Sequence, residues 1–148
     1  MADIVDSKTR SRMMSGITGK NTKPEVLIRK HLHSRGFRFR LHRKDLPGKP
    51  DIVLPKYRAV ILVNGCFWHG HGCALFKWPG TRKEFWEEKI NANVSRDRRN
   101  INALRDMGWR VFVVWECCIR GPDSLSVGQA ADRIERWLKE GGEFSECP

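Results

Sequence analysis

No apolar run in this chain approaches the ~20 residues that a membrane-spanning helix needs, which argues against a helical membrane protein. The first residues, Met1-Ala-Asp-Ile-Val-Asp-Ser-Lys, lack the basic-then-apolar plan of a secretory leader, so cytoplasmic residence is the expectation. Repeats, low-complexity tracts and a Pro/Ser-rich linker are missing, and 148 residues fall within the usual size of one domain. Acids are scarce, 17 against 28 lysines and arginines, for a net charge of +11. Such an excess attracts polyanions over a Debye length of roughly 8–10 Å, and nucleic acid is the expected partner. The plainer alternative is a basic protein that works beside a ribosome or membrane. Cysteines are few: five, at 66, 73, 117, 118 and 147. An odd count at this spacing is not a small disulfide scaffold, and in a reducing compartment metal binding is the closer reading. With 40% apolar residues, the chain is expected to fold without disulfides.

Residues 7–17 are polar and basic but carry Met13, Met14 and Ile17, as a mobile arm would. The organisation expected is a flexible basic arm over 1–20 and a single domain over 21–148. Thr22-Lys-Pro-Glu25 is a helix start, with Thr22 as cap, Pro24 in the first turn and Glu25 three residues on. That helix runs to about Arg35 and stops at Gly36. Residues 37–41 alternate apolar and basic, the period of a half-exposed strand. After the break at Pro47-Gly-Lys-Pro50, the runs 52–54 and 59–63 are β-branched and predict a buried hairpin. With Leu54 opposite Ala59, Asp51 falls beside Leu62, Val63 and Asn64. Residues 82–107 read as one long helix, 109–115 as a buried strand and 132–140 as a closing amphipathic helix. The order defines an α/β layered domain.

The loop Cys66-Phe-Trp-His-Gly-His-Gly-Cys73 carries the most specific local chemistry. Zinc takes four N/S ligands at about 2.0–2.3 Å, and glycines let a short loop close around an ion. Cys66, His71 and Cys73 supply three; Cys117 or Cys118 supplies the fourth, and the spacing neither chooses between them nor excludes His69. Without zinc this is a Gly-rich turn with incidental thiols. Phe67 and Trp68 stand on that loop without helical period. They are either wedges for a base stack or packing against the long helix.

Three acids complete the picture. Asp51 opens a buried strand, where a charge is tolerable if it holds a metal; otherwise it is a solvated turn residue. Asp97 falls between Val94 and Ile101 on the apolar stripe Trp86, Ile90, Val94, Ile101, Leu104, and is expected on a buried face, partnered by a metal-bound water or an arginine. Glu25 is either the reciprocal member of a capping box or a third acid of the site. Mg²⁺ accepts one or two carboxylates and keeps several waters. His69 is a candidate general acid or base.

Pro-Gly-Lys-Pro-Asp51, Asn64-Gly-Cys-Phe-Trp-His-Gly-His-Gly-Cys73, Thr81-Arg-Lys-Glu-Phe-Trp86, Asn91-Ala-Asn-Val-Ser-Arg-Asp97 and Gly108-Trp-Arg-Val-Phe-Val-Val-Trp-Glu-Cys117 together closely resemble the very short patch repair (Vsr) endonucleases, over nearly the whole chain. The resemblance implies a restriction-endonuclease-like core: a central mixed β-sheet flanked by helices, with a structural zinc site. It implies a bacterial, cytoplasmic and monomeric enzyme that nicks double-stranded DNA 5′ of the T in T·G mispairs left by 5-methylcytosine deamination, with mismatch-repair proteins as candidate partners. Position by position it implies Mg²⁺ on Asp51 and the Val63 carbonyl, with Glu25 and Asp97 orienting waters and His69 as acid–base group. It further implies zinc on Cys66, His71, Cys73 and Cys117, and Phe67 and Trp68 as wedges, with Trp86 in the same motif. Met14, Lys89 and Asn93 fall at the mispair. One position departs: Asn64 stands where the family commonly has histidine, and an amide can position water but cannot titrate near neutrality. The alternative to an enzyme is a non-catalytic zinc-stabilised module that binds distorted DNA.

Overall fold

The computed structural model describes residues 22–73, 75–120 and 125–147. The expected arm over 1–20, with Met14, lies outside them.

The first helix, α1 (Lys23–Ser34), starts as its residues dictate: Thr22 is extended, its hydroxyl accepts the Glu25 amide N–H, and Pro24 occupies the first turn. A five-stranded sheet follows, in spatial order β1 (Arg40–Leu41), β2 (Ile52–Leu54), β3 (Ala59–Asn64), β4 (Arg110–Trp115) and β5 (Phe144–Cys147). The first two pairings are antiparallel and the last two parallel. The hairpin register places Leu54 opposite Ala59, as the sequence predicts. Between β3 and β4 runs the long helix α2 (Lys83–Asp106), and between β4 and β5 the short α3 (Glu116–Ile119) and α4 (Val127–Glu140).

Alternation along the two central strands builds two cores. Ala59, Ile61, Phe112 and Val114 pack with Ile28 and Leu32 of α1 and Ile134 and Trp137 of α4. Val60, Val111 and Val113 pack against Leu104 of α2 on the other face. Both faces are covered, which is why these strands read as near-continuous apolar runs. Arg35 ties α1 to α4 through Asp132 at 2.6 Å and the Gly128 carbonyl at 3.2 Å. Among the described residues no helix is long and apolar enough to cross a membrane.

The structure departs from expectation at five points. The strand over 37–41 shrinks to Arg40–Leu41 because its partner β2 has only three residues and Leu54 turns directly into the 3-10 turn Pro55–Tyr57. The last helix begins at Val127, not 132, because Ser126 and Gln129 form a reciprocal capping box. Strand β5 was not expected from its polar sequence. Its last residue, Cys147, forms a disulfide with Cys118, so these two thiols are neither metal ligands nor idle. Asp97 is also not on a fully buried face. Helix α2 has 24 residues, and at ~1.5 Å per residue it outruns the six-residue strands beneath it. Of its stripe only Ile90 and Leu104 are fully buried. The overhanging N-terminal half covers the 65–80 loop instead, and Asp97 sits at the mouth of the cleft between.

Candidate active site

Antiparallel pairing of β2 with β3 brings the start of one and the end of the other to the same edge of the sheet, and parallel β4 ends there too. Loops that follow these strands therefore converge on one place. A cleft of about 510 Å³ opens here, lined among others by His42, Asp51, Asn64, His69 and Asp97.

Asp51 Oδ2 accepts the Val63 amide N–H at 2.8 Å. The carboxyl is largely enclosed. Burial and the neighbouring Glu25 charge push its pKa up to about 8, against the opposing pull of the Val63 amide. Glu25 is 1% exposed. Its Oε2 is 2.8 Å from His42 Nε2 and accepts from Arg29 Nη1, also at 2.8 Å. The Glu25 backbone takes the Thr22 cap, but the carboxylate is directed to His42 and Asp51 at the edge of the cleft rather than spent on a capping box. On the opposite wall Asp97 Oδ2 meets His69 Nδ1. That contact gives Asp97 its partner, neither an arginine nor the helix core. It also engages His69 Nδ1 outside the cysteine cluster, which His69 does not join. Asn64, 8% exposed, lines the floor. Two carboxylates crowded out of water repel each other, and a divalent cation between them relieves that cost. The donor set therefore fits a hard cation.

Beside the cleft, the ligand atoms of Cys66, His71, Cys73 and Cys117 all lie within 4.8 Å of one another. His71 Nδ1 stands 3.6 Å from Cys66 Sγ and 3.5 Å from Cys117 Sγ. A tetrahedron with arms of ~2.0–2.3 Å has edges of about 3.5–3.8 Å, so the spacing fits zinc. Burial pushes the Cys66 thiol up, a cost that a cation would remove, while its sulfur accepts the Cys117 amide N–H at 3.3 Å. Burial lowers His71, keeping a lone pair available near neutrality, and its ring stacks on Trp115 at 4.1 Å and 7°. Cys118 is committed to Cys147, which leaves Cys117 as the thiol at this strand end.

Gly70 explains how the loop reaches the helix: at φ +60, a Cβ there would come within 2.9 Å of Ile90 and 3.0 Å of Val94. Phe67 and Trp68 are half-buried. Phe67 stacks among Phe76 and Trp86, and Trp68 lies 5.9 Å from the Trp86 ring. They pack on the long helix while keeping an exposed edge, so both readings of the pair retain part of their basis. Asn93 Nδ2 donates to the Trp68 carbonyl at 2.9 Å, and Lys89 is exposed one turn earlier. Met14 lies outside the described residues. Sequence reasoning missed His42. It sits just past a strand at φ 49, a conformation in which histidine is enriched but which no local pattern announces.

Carboxylates paired with an imidazole in a cleft of a strongly basic domain fit a cation and a proton carrier beside a phosphate, the arrangement of the metal-using nuclease class. Comparison with known proteins carries this further. The family model described as DNA mismatch endonuclease Vsr matches residues 2–75. The DNA mismatch endonuclease Vsr of Escherichia coli K12 is 48% identical over 138 residues, 93% of this chain and 88% of that protein. The type II nicking enzyme V.NmeAIP of Neisseria meningitidis serogroup A is 49% identical over 140 residues, 95% and 99% of the two chains. V.XorIIP of Xanthomonas oryzae pv. oryzae, also named a type II nicking enzyme, is 53% identical over 117 residues, 79% and 86%. The chain belongs to the DNA mismatch endonuclease Vsr family. It is a DNA endonuclease with that family's restriction-endonuclease-like core, a mixed sheet between helices.

Proposed function

We propose that this endonuclease nicks double-stranded DNA on the 5′ side of the T in T·G mispairs and so begins very short patch repair. The observation that carries the reading is the convergence in one cleft of Asp51 with the His69–Asp97 pair, with the buried Glu25 carboxylate within 4.8 Å of Asp51. Asp51 and the Val63 carbonyl are the residues to hold Mg²⁺, with Glu25 and Asp97 orienting its waters. When bound, that ion neutralises charge at the phosphoryl oxygen and acidifies an attacking water. Asp97 fixes His69 with the proton on Nδ1, so Nε2 is free to move a proton at the scissile phosphate. Asn64 positions water there and transfers no proton. Zinc on Cys66, His71, Cys73 and Cys117 is structural, since four protein ligands leave no open position.

Phe67 and Trp68 enter the base stack, backed by Trp86. Lys89, Asn93 and Met14, the last on a basic arm over 1–20, contact the mispair, and residues 21–148 act as one monomeric domain. The setting is the bacterial cytoplasm, with mismatch-repair proteins as partners. Nicking by the purified protein with Mg²⁺, measured over all mispairs in several sequence contexts, tests this. Cleavage confined to the T strand of T·G duplexes is expected. A gel shift with both strands left whole would establish the non-catalytic binding module instead.

A further inference from the structure

Beside the two acids of the cleft stands a third donor, His42, that the chemistry above does not use. The Glu25, His42 and Asp51 donor atoms all lie within 4.8 Å of one another. His42 is 20% exposed at its side chain and Glu25 is enclosed, so the imidazole faces the acids rather than solvent. Its main chain is held in the left-handed region at φ 49, where its N–H donates to the Asp51 carbonyl at 3.2 Å. The 2.8 Å between His42 Nε2 and Glu25 Oε2 is also close to the ~3.0 Å that separates neighbouring ligands on an octahedron with ~2.1 Å arms.

We propose that His42 is a direct ligand of the same cation as Asp51, making the catalytic centre an imidazole–carboxylate site that takes Mn²⁺ and Co²⁺ in preference to Mg²⁺. This rests on Asp51 being the ion's anchor, as in the reading above. Mg²⁺ is best served by oxygen alone. An added neutral nitrogen raises affinity along the series from Mn²⁺ to Co²⁺ and does little for Mg²⁺. A purely positioning His42, holding Glu25 from outside, would leave the preference among cations where oxygen ligands put it.

The test uses the zinc-loaded full chain without DNA, titrated with Mn²⁺ while the signal of the aqueous ion is followed by electron paramagnetic resonance, then competed with Mg²⁺. Wild type is expected to favour Mn²⁺ over Mg²⁺ by at least roughly tenfold. His42→Asn, chosen because asparagine tolerates the left-handed backbone, should collapse that ratio severalfold or more. Pulsed resonance on Mn²⁺-loaded wild type needs no variant and should show coupling to an imidazole nitrogen that persists in His69→Ala. Absence of nitrogen coupling, or its loss in His69→Ala, overturns the proposal, as does an unchanged ratio in His42→Asn. Asp51→Asn separates the two levels. If it binds Mn²⁺ like wild type, the anchor assigned to the active site fails. If binding is lost there but His42→Asn behaves as wild type, only the role of His42 fails.

Discussion

Replacing Asp51 by Asn should make the metal-stripped protein more stable at alkaline pH while abolishing its nicking. Burial and Glu25 raise the Asp51 pKa from its ordinary 3.8 to about 8. The unfolded chain ionises this carboxyl near 3.8, so between that pH and about 8 the folded state holds the extra proton. Stability contributed by the neutral form is complete below the unfolded value and is lost as pH rises to the folded one. Over about four pH units at ~1.4 kcal/mol each, the loss is on the order of 5 kcal/mol at pH 8. Asparagine keeps an oxygen for the Val63 amide but cannot ionise. Urea unfolding in a chelator that spares zinc, at pH 5 and pH 8, should show the variant gaining on wild type by several kcal/mol between the two. Mg²⁺ at pH 8 should restore the wild type and leave the variant unchanged, because only ionised Asp51 offers the ion its charge. A gap between the two proteins that is equal at both pH values would refute this account of the buried carboxyl.

Three further outcomes follow from neighbouring features. Cys117→Ser removes one of the four clustered donors and should lower bound zinc well below stoichiometric, with destabilisation beyond ~4 kcal/mol; full zinc content by elemental analysis would contradict the ligand set. Trp68→Ala should erode T·G preference in competition binding far more than affinity for plain duplex, which phosphate contacts supply; intact discrimination would make the ring mere packing. Cys147→Ser opens a disulfide that spans 29 residues of sequence, for which chain entropy gives about 3.6 kcal/mol. Its urea midpoint should match that of reduced wild type, and an unchanged midpoint on reduction would show the bond to contribute nothing.

Much of the site was legible because a strand register carries neighbours with it. Once Leu54 faced Ala59, Asp51 had to fall beside Val63, and it does. The cysteine loop was readable because its glycines and three of the four clustered donors lie within eight residues, while the fourth, Cys117, comes from a distant strand end. What stayed hidden depends on non-local placement. Asp97 looked buried because periodicity knows the face of a helix but not that the helix extends past its sheet. His42 follows no periodic pattern; its place beside the acids arises from an unusual backbone angle and from Glu25, seventeen residues away. The Cys118–Cys147 pairing required knowing that a polar tail joins the sheet edge, and a four-residue strand with one large apolar side chain gives little notice of that.

Cys66, Phe67, Trp68 and His69 are consecutive, so the proposed zinc ligand, the aromatic pair and the proposed proton carrier share one short length of main chain. At ~3.3–3.6 Å per residue, His69 can stand no more than about 7 Å along the backbone from Phe67. Stacked nucleotides rise ~3.4 Å each, so that span covers about two base steps. On the proposed roles of the aromatic pair and His69, the loop would then be a covalent ruler: where the duplex is pried apart would dictate, within about two nucleotides, where its strand is severed. An inserted residue between 67 and 69 would shift the incision without any change in the groups that perform it.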